Sequence, residues 1–117
     1  SAQVLHIYIS KDILKEDLKK HNFSPLIVDH SLGRAAGRIF HDEKTGKYIR
    51  PTQMSKLKYG GGIKFSELQC TPERIYMTPL DYQIKIEDNN ELYDRTHHID
   101  RLRNLITIDY KLKNGIF

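Results

Sequence analysis

Between Asp29 and Gly62 the chain reads DHSLGRAAGRIFHDEKTGKYIRPTQMSKLKYGGG, and this stretch gathers the side chains best suited to gripping a polar ligand. Arg34, Arg38 and Arg50 each offer a planar fork of donors that matches a carboxylate, a phosphate or a pair of vicinal hydroxyls. Gln53 adds an amide. Tyr59 adds a ring face for the apolar side of a sugar, and Gly60–Gly62 would let backbone approach a ligand closely. Brought together by folding, these groups would recognise a saccharide or an anionic sugar. The competing reading is structural: Arg34 and Arg38 pair with local acids such as Asp29 and Asp42 and staple neighbouring strands.

Catalysis is less legible. Glycoside hydrolysis needs two carboxyl groups roughly 5 to 10 Å apart. Asp29, Asp42, Glu67, Asp100 and Asp109 are available, but no spacing singles out a pair. Asp29, just upstream of the arginine segment, is the candidate we carry forward, against a plain role as a strand-end cap. Whether the chain is an enzyme stays open. Six histidines raise the question of a metal. The densest group is His97-His98-x-Asp100, and adjacent residues of a strand point to opposite faces, so no metal site is expected there. No cofactor is expected either. The single cysteine, Cys70, excludes an internal disulfide and lies in FSELQCT, where it reads as a small buried hydrophobe.

The elements that must position these groups are mostly extended. Val4–Ile9 alternates as a strand. Ser10 would cap a short helix over Asp12–Lys20 with Ile13, Leu14 and Leu18 as its apolar stripe. Leu26–Val28 is a short extended piece. Ile39-Phe40, the polar turn Asp42–Gly46 and Tyr48-Ile49 predict a hairpin that ends before Pro51. Ile63–Leu68 and Tyr82–Glu87 alternate again, with Pro72 and Pro79 between them, a turn at Asp88–Glu91, and a last strand over Leu105–Tyr110. Strands at this cadence predict an all-β, mainly antiparallel fold with at most one short helix.

At 117 residues there is room for one domain. An apolar share of 38% with a mean hydropathy of −0.59 is lean but adequate for a modest core. The net charge of +4 is mildly basic. Its lysines at positions 11, 15, 19 and 20 alternate with acids, which describes a solvated face rather than a nucleic-acid stripe. No apolar run is long enough to span a membrane and no signal peptide is present, so the expected location is cytoplasmic. The start at Ser1 without an initiator Met, and the abrupt end at Phe117, lead us to expect an excised piece of a longer protein.

The run Arg34–Phe40, the hairpin, Arg50-Pro51-Thr52-Gln53 and Lys58-Tyr59-Gly60-Gly61 together resemble a known pattern. It is similar to the N-terminal domain of glucosamine inositolphosphorylceramide transferases and their bacterial relatives, some of them attached to sugar formyltransferase modules. There an R-x-A-G-R-I-F segment precedes R-P-x-Q and a Y-G-x-x-I strand; Glu67–Thr71, Thr96–Asp100 and Ile106–Asp109 extend the likeness across residues 4–110. Met54, His98 and Asp100 depart from the pattern. The resemblance implies a five-bladed β-propeller of arabinanase-like type and makes His97 a further ligand-site candidate. Five blades need more chain than this, at roughly forty residues or more each. The expectation is therefore a partial or shortened propeller of about two blades, with residues 1–117 forming a single domain or the C-terminal part of a larger β-propeller domain.

The function expected is a carbohydrate-associated module of a glycan-synthesising or sugar-modifying protein, with Arg34, Arg38, Arg50, Gln53, Tyr59 and His97 around a saccharide. Two alternatives come from other classes. One is a small basic module binding nucleic acid through Lys56, Lys58, Lys64, Arg101 and Arg103. The other is a structural or oligomerisation domain supporting a partner enzyme, in which the exposed strand edges of a truncated propeller promote self-association.

Overall fold

The computed structural model describes residues 2–54, 62–83, 87–88, 91–96, 98–109 and 111–112. The chain is all-β and mainly antiparallel. Its N-terminal part forms β1 (Ala2–Leu5), β2 (Tyr8–Ile9), β3 (Lys19–Lys20) and β4 (Leu26–Asp29), paired β1 with β4 and β2 with β3. Among the described residues the one helix is α1 (His30–Gly33). A four-stranded antiparallel meander follows, made of β5 (Phe40–Asp42), β6 (Lys47–Gln53), β7 (Ile63–Cys70) and β8 (Ile75–Gln83) in that spatial order. The remaining strands are β9 (Glu87–Asp88), β10 (Glu91–Arg95), β11 (Ile99–Leu102), β12 (Leu105–Ile108) and β13 (Lys111–Leu112). β9 and β13 flank β10, and β11 pairs with β12 as a hairpin.

The helix expected over Asp12–Lys20 does not form. The Asp12 carboxylate accepts the Leu14 N–H at 3.0 Å and its carbonyl accepts Glu16 N–H at 2.8 Å, closing one turn. An aspartate that satisfies its own backbone in this way competes with helix propagation. The intended apolar stripe also has nothing to pack on, since Ile13 and Leu14 are 73% and 91% exposed. Helical turns without tertiary burial are marginal in water.

The hairpin at Asp42–Gly46 forms as expected, but β6 does not stop at Pro51. It runs to Gln53, paired with β7 from Tyr48↔Leu68 to Gln53↔Ile63. The Pro51 carbonyl accepts Ala36 N–H, so the peptide groups of Pro51 point away from β7 and its missing N–H breaks no ladder bond. Pro79 is tolerated in β8 for a related reason. β8 is an edge strand, and next to Pro79 the register shifts between Ser66↔Pro79 and Lys64↔Gln83, a bulge. Of the turn expected at Asp88–Glu91, Asp88 and Glu91 pair between β9 and β10, and residues 89 and 90 lie outside the described residues. Of the strand expected over Tyr82–Glu87, residues 84–86 lie outside the described residues, as does Tyr110 at the end of the last strand.

The core sits on one face of the meander. Ile49, Ile63 and Phe65 are 1 to 4% exposed and meet Ala36 and Ile99, with Phe40, Leu80 and Ile108 packed around them. Each such aliphatic or aromatic side chain contributes about 1.5–3 kcal/mol when fully buried. The other face of β6 is covered by α1 through Arg50 and Thr52. His21, 3% exposed, ties the N-terminal segment to the β7–β8 turn: it accepts Phe23 N–H at Nδ1, and its Nε2 lies 2.7 Å from the Thr71 carbonyl, to which it then donates.

One contact joins the two halves of the core. Ala36 C=O accepts Ile99 N–H at 2.7 Å, and Gly37, at φ +145°, lies so close to the Ile99 carbonyl that a Cβ would collide with it. Gly46 is also left-handed, at φ +72°, but faces open space. Gly46→Ala should therefore cost about 1 kcal/mol in urea unfolding, the penalty of left-handed backbone alone. Gly37→Ala should cost about 3 kcal/mol or more, because the β11 backbone must move as well. Equal midpoints for the two variants would show that β11 does not depend on this approach.

Candidate functional site

The arginines of the segment take separate places. Arg50 is buried, 8% exposed, and donates through Nη1 to Leu32 C=O at 2.6 Å and through Nη2 to Gly33 C=O at 2.7 Å. It thus caps the carbonyl end of α1, where a cation is favoured. Burial alone lowers its affinity for the proton. Gln53, likewise 8% exposed, donates from Nε2 to Ala35 C=O at 3.0 Å, and Gln53 N–H donates to Arg34 C=O at 2.9 Å. Arg50 and Gln53 have adjacent roles on opposite faces of β6, and both hold the 30–36 segment. Arg34 is exposed on that segment.

Arg38 pairs with neither Asp29 nor Asp42. It makes a two-pronged ion pair with Asp100 of β11, Nε to Oδ1 and Nη2 to Oδ2, each 3.0 Å. The guanidinium holds the Asp100 carboxyl below its usual range, helped by Arg101 N–H, which donates to Oδ1 at 2.8 Å. Asp29 caps α1, accepting Ser31 N–H and Ser31 Oγ–H at 2.9 and 2.7 Å, which lowers its proton affinity. Its place in the fold is the N-cap of α1. Asp42 is similarly held low, first by the Thr45 hydroxyl. Tyr59 and His97 lie outside the described residues, as do Lys56 and Lys58. Cys70 is exposed rather than buried: it closes β7 opposite Ile75, where the β7–β8 turn leaves the core.

The groups that do converge are others. Register places Ile99, Arg101, Ile106 and Ile108 on one face of the β11–β12 hairpin, turned toward Phe40 and Phe65. The two phenyl rings meet edge to face with centroids 6.4 Å apart. The Arg101 guanidinium stands 5.7 Å from the Phe40 centroid, within cation–π range, and its Nε donates to Arg103 C=O at 3.0 Å. Phe40, Phe65, Ile99, Arg101, Arg103 and Asn104 are among the walls of a cleft of about 410 Å³. A second hollow of about 250 Å³ continues it past Phe40, Arg101 and Arg103 to His41 and Glu43. Arg103 sits in the two-residue turn between Leu102 and Leu105 at φ +54°, a backbone state uncommon outside glycine. The cleft thus joins the half-buried Phe40 ring, the Arg101 guanidinium over it, and Arg103 and Asn104 of the turn.

Residue types and spacing alone did not bring these groups together. They placed Phe40 in the hairpin and pointed to Arg101 and Arg103 as nucleic-acid contacts. The signal that was available is Arg103-Asn104 between two apolar residues, a turn pair that folds Arg101 back over whatever lies beneath. Among the described residues no group of three or more His, Cys, Asp or Glu side chains is placed to hold a metal ion, and no helix is long and apolar enough to cross a membrane. No family model, curated protein or solved structure matches the chain.

The Arg38–Asp100 pair gives a pH-dependent expectation. Because the folded Asp100 carboxyl is held below its ordinary value of 3.8, its contribution is complete above that value and is lost as pH falls through the depressed one. Asp100→Asn should lower the melting temperature at pH 6 and converge with the parent chain in acid below pH 3.8. A pH-independent gap would assign the effect to packing. Arg50→Met, which orphans two buried carbonyls, should cost about 2–4 kcal/mol in chemical denaturation.

Proposed function

We propose that the chain is a carbohydrate-binding module of a glycan-synthesising or sugar-modifying protein, and that its ligand is an anionic sugar seated between the β5–β6 hairpin and the β11–β12 hairpin. The observation that carries this reading is the pairing of Arg101 over the Phe40 ring beside Phe65, with Arg103 and Asn104 at the rim. A sugar ring presents an apolar C–H face and a hydroxylated edge, and a uronate or phosphate adds a negative charge. The half-buried Phe40 ring suits the first, the amide the second and arginine the third. A volume of about 410 Å³ lies within the usual range for small-ligand sites.

Two further points support the reading. The β5–β8 meander has the strand number and up-and-down order of one propeller blade, as the resemblance of Arg34–Phe40 and Arg50–Gln53 implies. Arg38, which lies in that resembling segment, acts here by fixing Asp100 and through it the backbone of Arg101. Its part in recognition is then one of positioning.

Titration calorimetry with uronate-bearing and neutral oligosaccharides tests the proposal. A uronate oligosaccharide should bind, and Arg101→Gln and Arg103→Gln should each weaken it about tenfold, or about 1.4 kcal/mol, with the fold intact. Neutral analogues should bind more weakly than the uronate in the parent chain and respond less to these changes. Absence of saccharide binding by the folded protein would overturn the proposal. Affinity for RNA or DNA that collapses with added salt would instead favour the basic-module reading.

A further inference from the structure

The opposite face of the meander carries a second cavity, independent of the saccharide reading. It measures about 260 Å³, lies between the N-terminal strands and β6–β8, and is walled by Leu5, Ile7, Leu26, Leu68, Ile75 and Met77 among others. Arg50 reaches into it from β6, and Cys70 lines it too. Most of the lining is aliphatic, with His6 and Tyr8 beside it, and Arg50 sets its guanidinium against those walls while it caps α1.

Arg50 is 8% exposed, yet among the described residues none of its hydrogen-bond partners is a carboxylate. Two carbonyls and the Met77 sulfur, the last at 3.8 Å, engage three of its N–H groups. A guanidinium carries five. The Nε–H is among those left over, and Arg50 lines the cavity. Carbonyl dipoles solvate a cation but do not neutralise it, and a buried charge without a counter-ion is costly. The site therefore offers a positive charge, a spare donor and an aliphatic sleeve.

We infer that this cavity binds a small amphiphilic carboxylate, its charged end on Arg50 and its aliphatic body between Leu5, Leu26, Leu68 and Ile75. The bound anion supplies a counter-charge to Arg50, and the body replaces solvent against apolar walls.

Cys70, the chain's one cysteine, reports occupancy without any mutation. Octanoate should slow alkylation of Cys70 by iodoacetamide about tenfold at saturation, while 1-octanol at the same concentration slows it less than about twofold, and neither changes alkylation of free N-acetylcysteine. Arg50→Gln, where it folds, should lose the octanoate effect. Equal protection by octanoate and octanol would overturn the role of Arg50, and protection by neither would overturn the site. Because the first comparison uses the parent chain, instability of the variant leaves the test intact.

Discussion

The fold depends on one close approach of backbone to backbone. Ala36 gives its N–H to Pro51 C=O on β6 and takes the Ile99 N–H on its own carbonyl, so a single residue bridges the meander and the β11–β12 hairpin. Only a small residue at 36 and none with a Cβ at 37 permit it, since Ala36 is fully buried and Gly37 lies against the Ile99 carbonyl. Arg38 then fastens the outside of the same junction through Asp100. Three consecutive residues thus supply a hydrogen-bond bridge, a steric gap and an ion pair. Without that junction Ile99 and Ile108 would lose their contact with the core, and the cleft would lose one wall.

What could be read in advance follows from the range of the interactions. The hairpin at Asp42–Gly46 was legible because its turn is local: the Asp42 side chain accepts from Lys44 N–H and Thr45 Oγ–H, and Gly46 N–H returns to Asp42 C=O. β7 was legible because Ile63 and Phe65 alternate with polar neighbours. The Asp12–Lys20 segment misled because three apolar residues at helical spacing say nothing about whether a surface exists to receive them. The arginines misled for a related reason. Arg38 finds its acid 62 residues away, and Arg50 finds carbonyls that exist only once α1 has turned. Residue type announced that these side chains would bind something planar or anionic. It did not say that the something was the protein itself.

Four arginines illustrate how position, rather than type, assigns a role. Arg50 is surrounded and bonded to main chain, Arg38 is consumed by a carboxylate, Arg101 stands over the Phe40 ring, and Arg103 lies at the rim of the same cleft. Exposed ion pairs contribute little to stability, so the value of the Arg38–Asp100 pair lies in orientation. It fixes the strand from which Arg101 projects. Asp42, whose carboxylate also feels Arg101, is already engaged by Thr45 and the local turn, which leaves Arg101 over the ring.

The separation of the two cavities rests on register, and register rests on Pro51. Along β6, Ile49, Pro51 and Gln53 face the aromatic core while Tyr48, Arg50 and Thr52 face α1 and the N-terminal strands. A slip of one residue would exchange these sets and place the Arg50 guanidinium among Phe40, Phe65 and Ile99. It would also turn Pro51 toward β7, where a ladder donor is required and proline has none. In the observed register Pro51 presents its carbonyl to Ala36 and leaves β7 to Arg50 and Thr52. The penalty for slippage is therefore imposed twice, by a missing donor and by a misplaced charge. A proline inside a central strand, which sequence alone reads as an end, is here what holds the two faces apart.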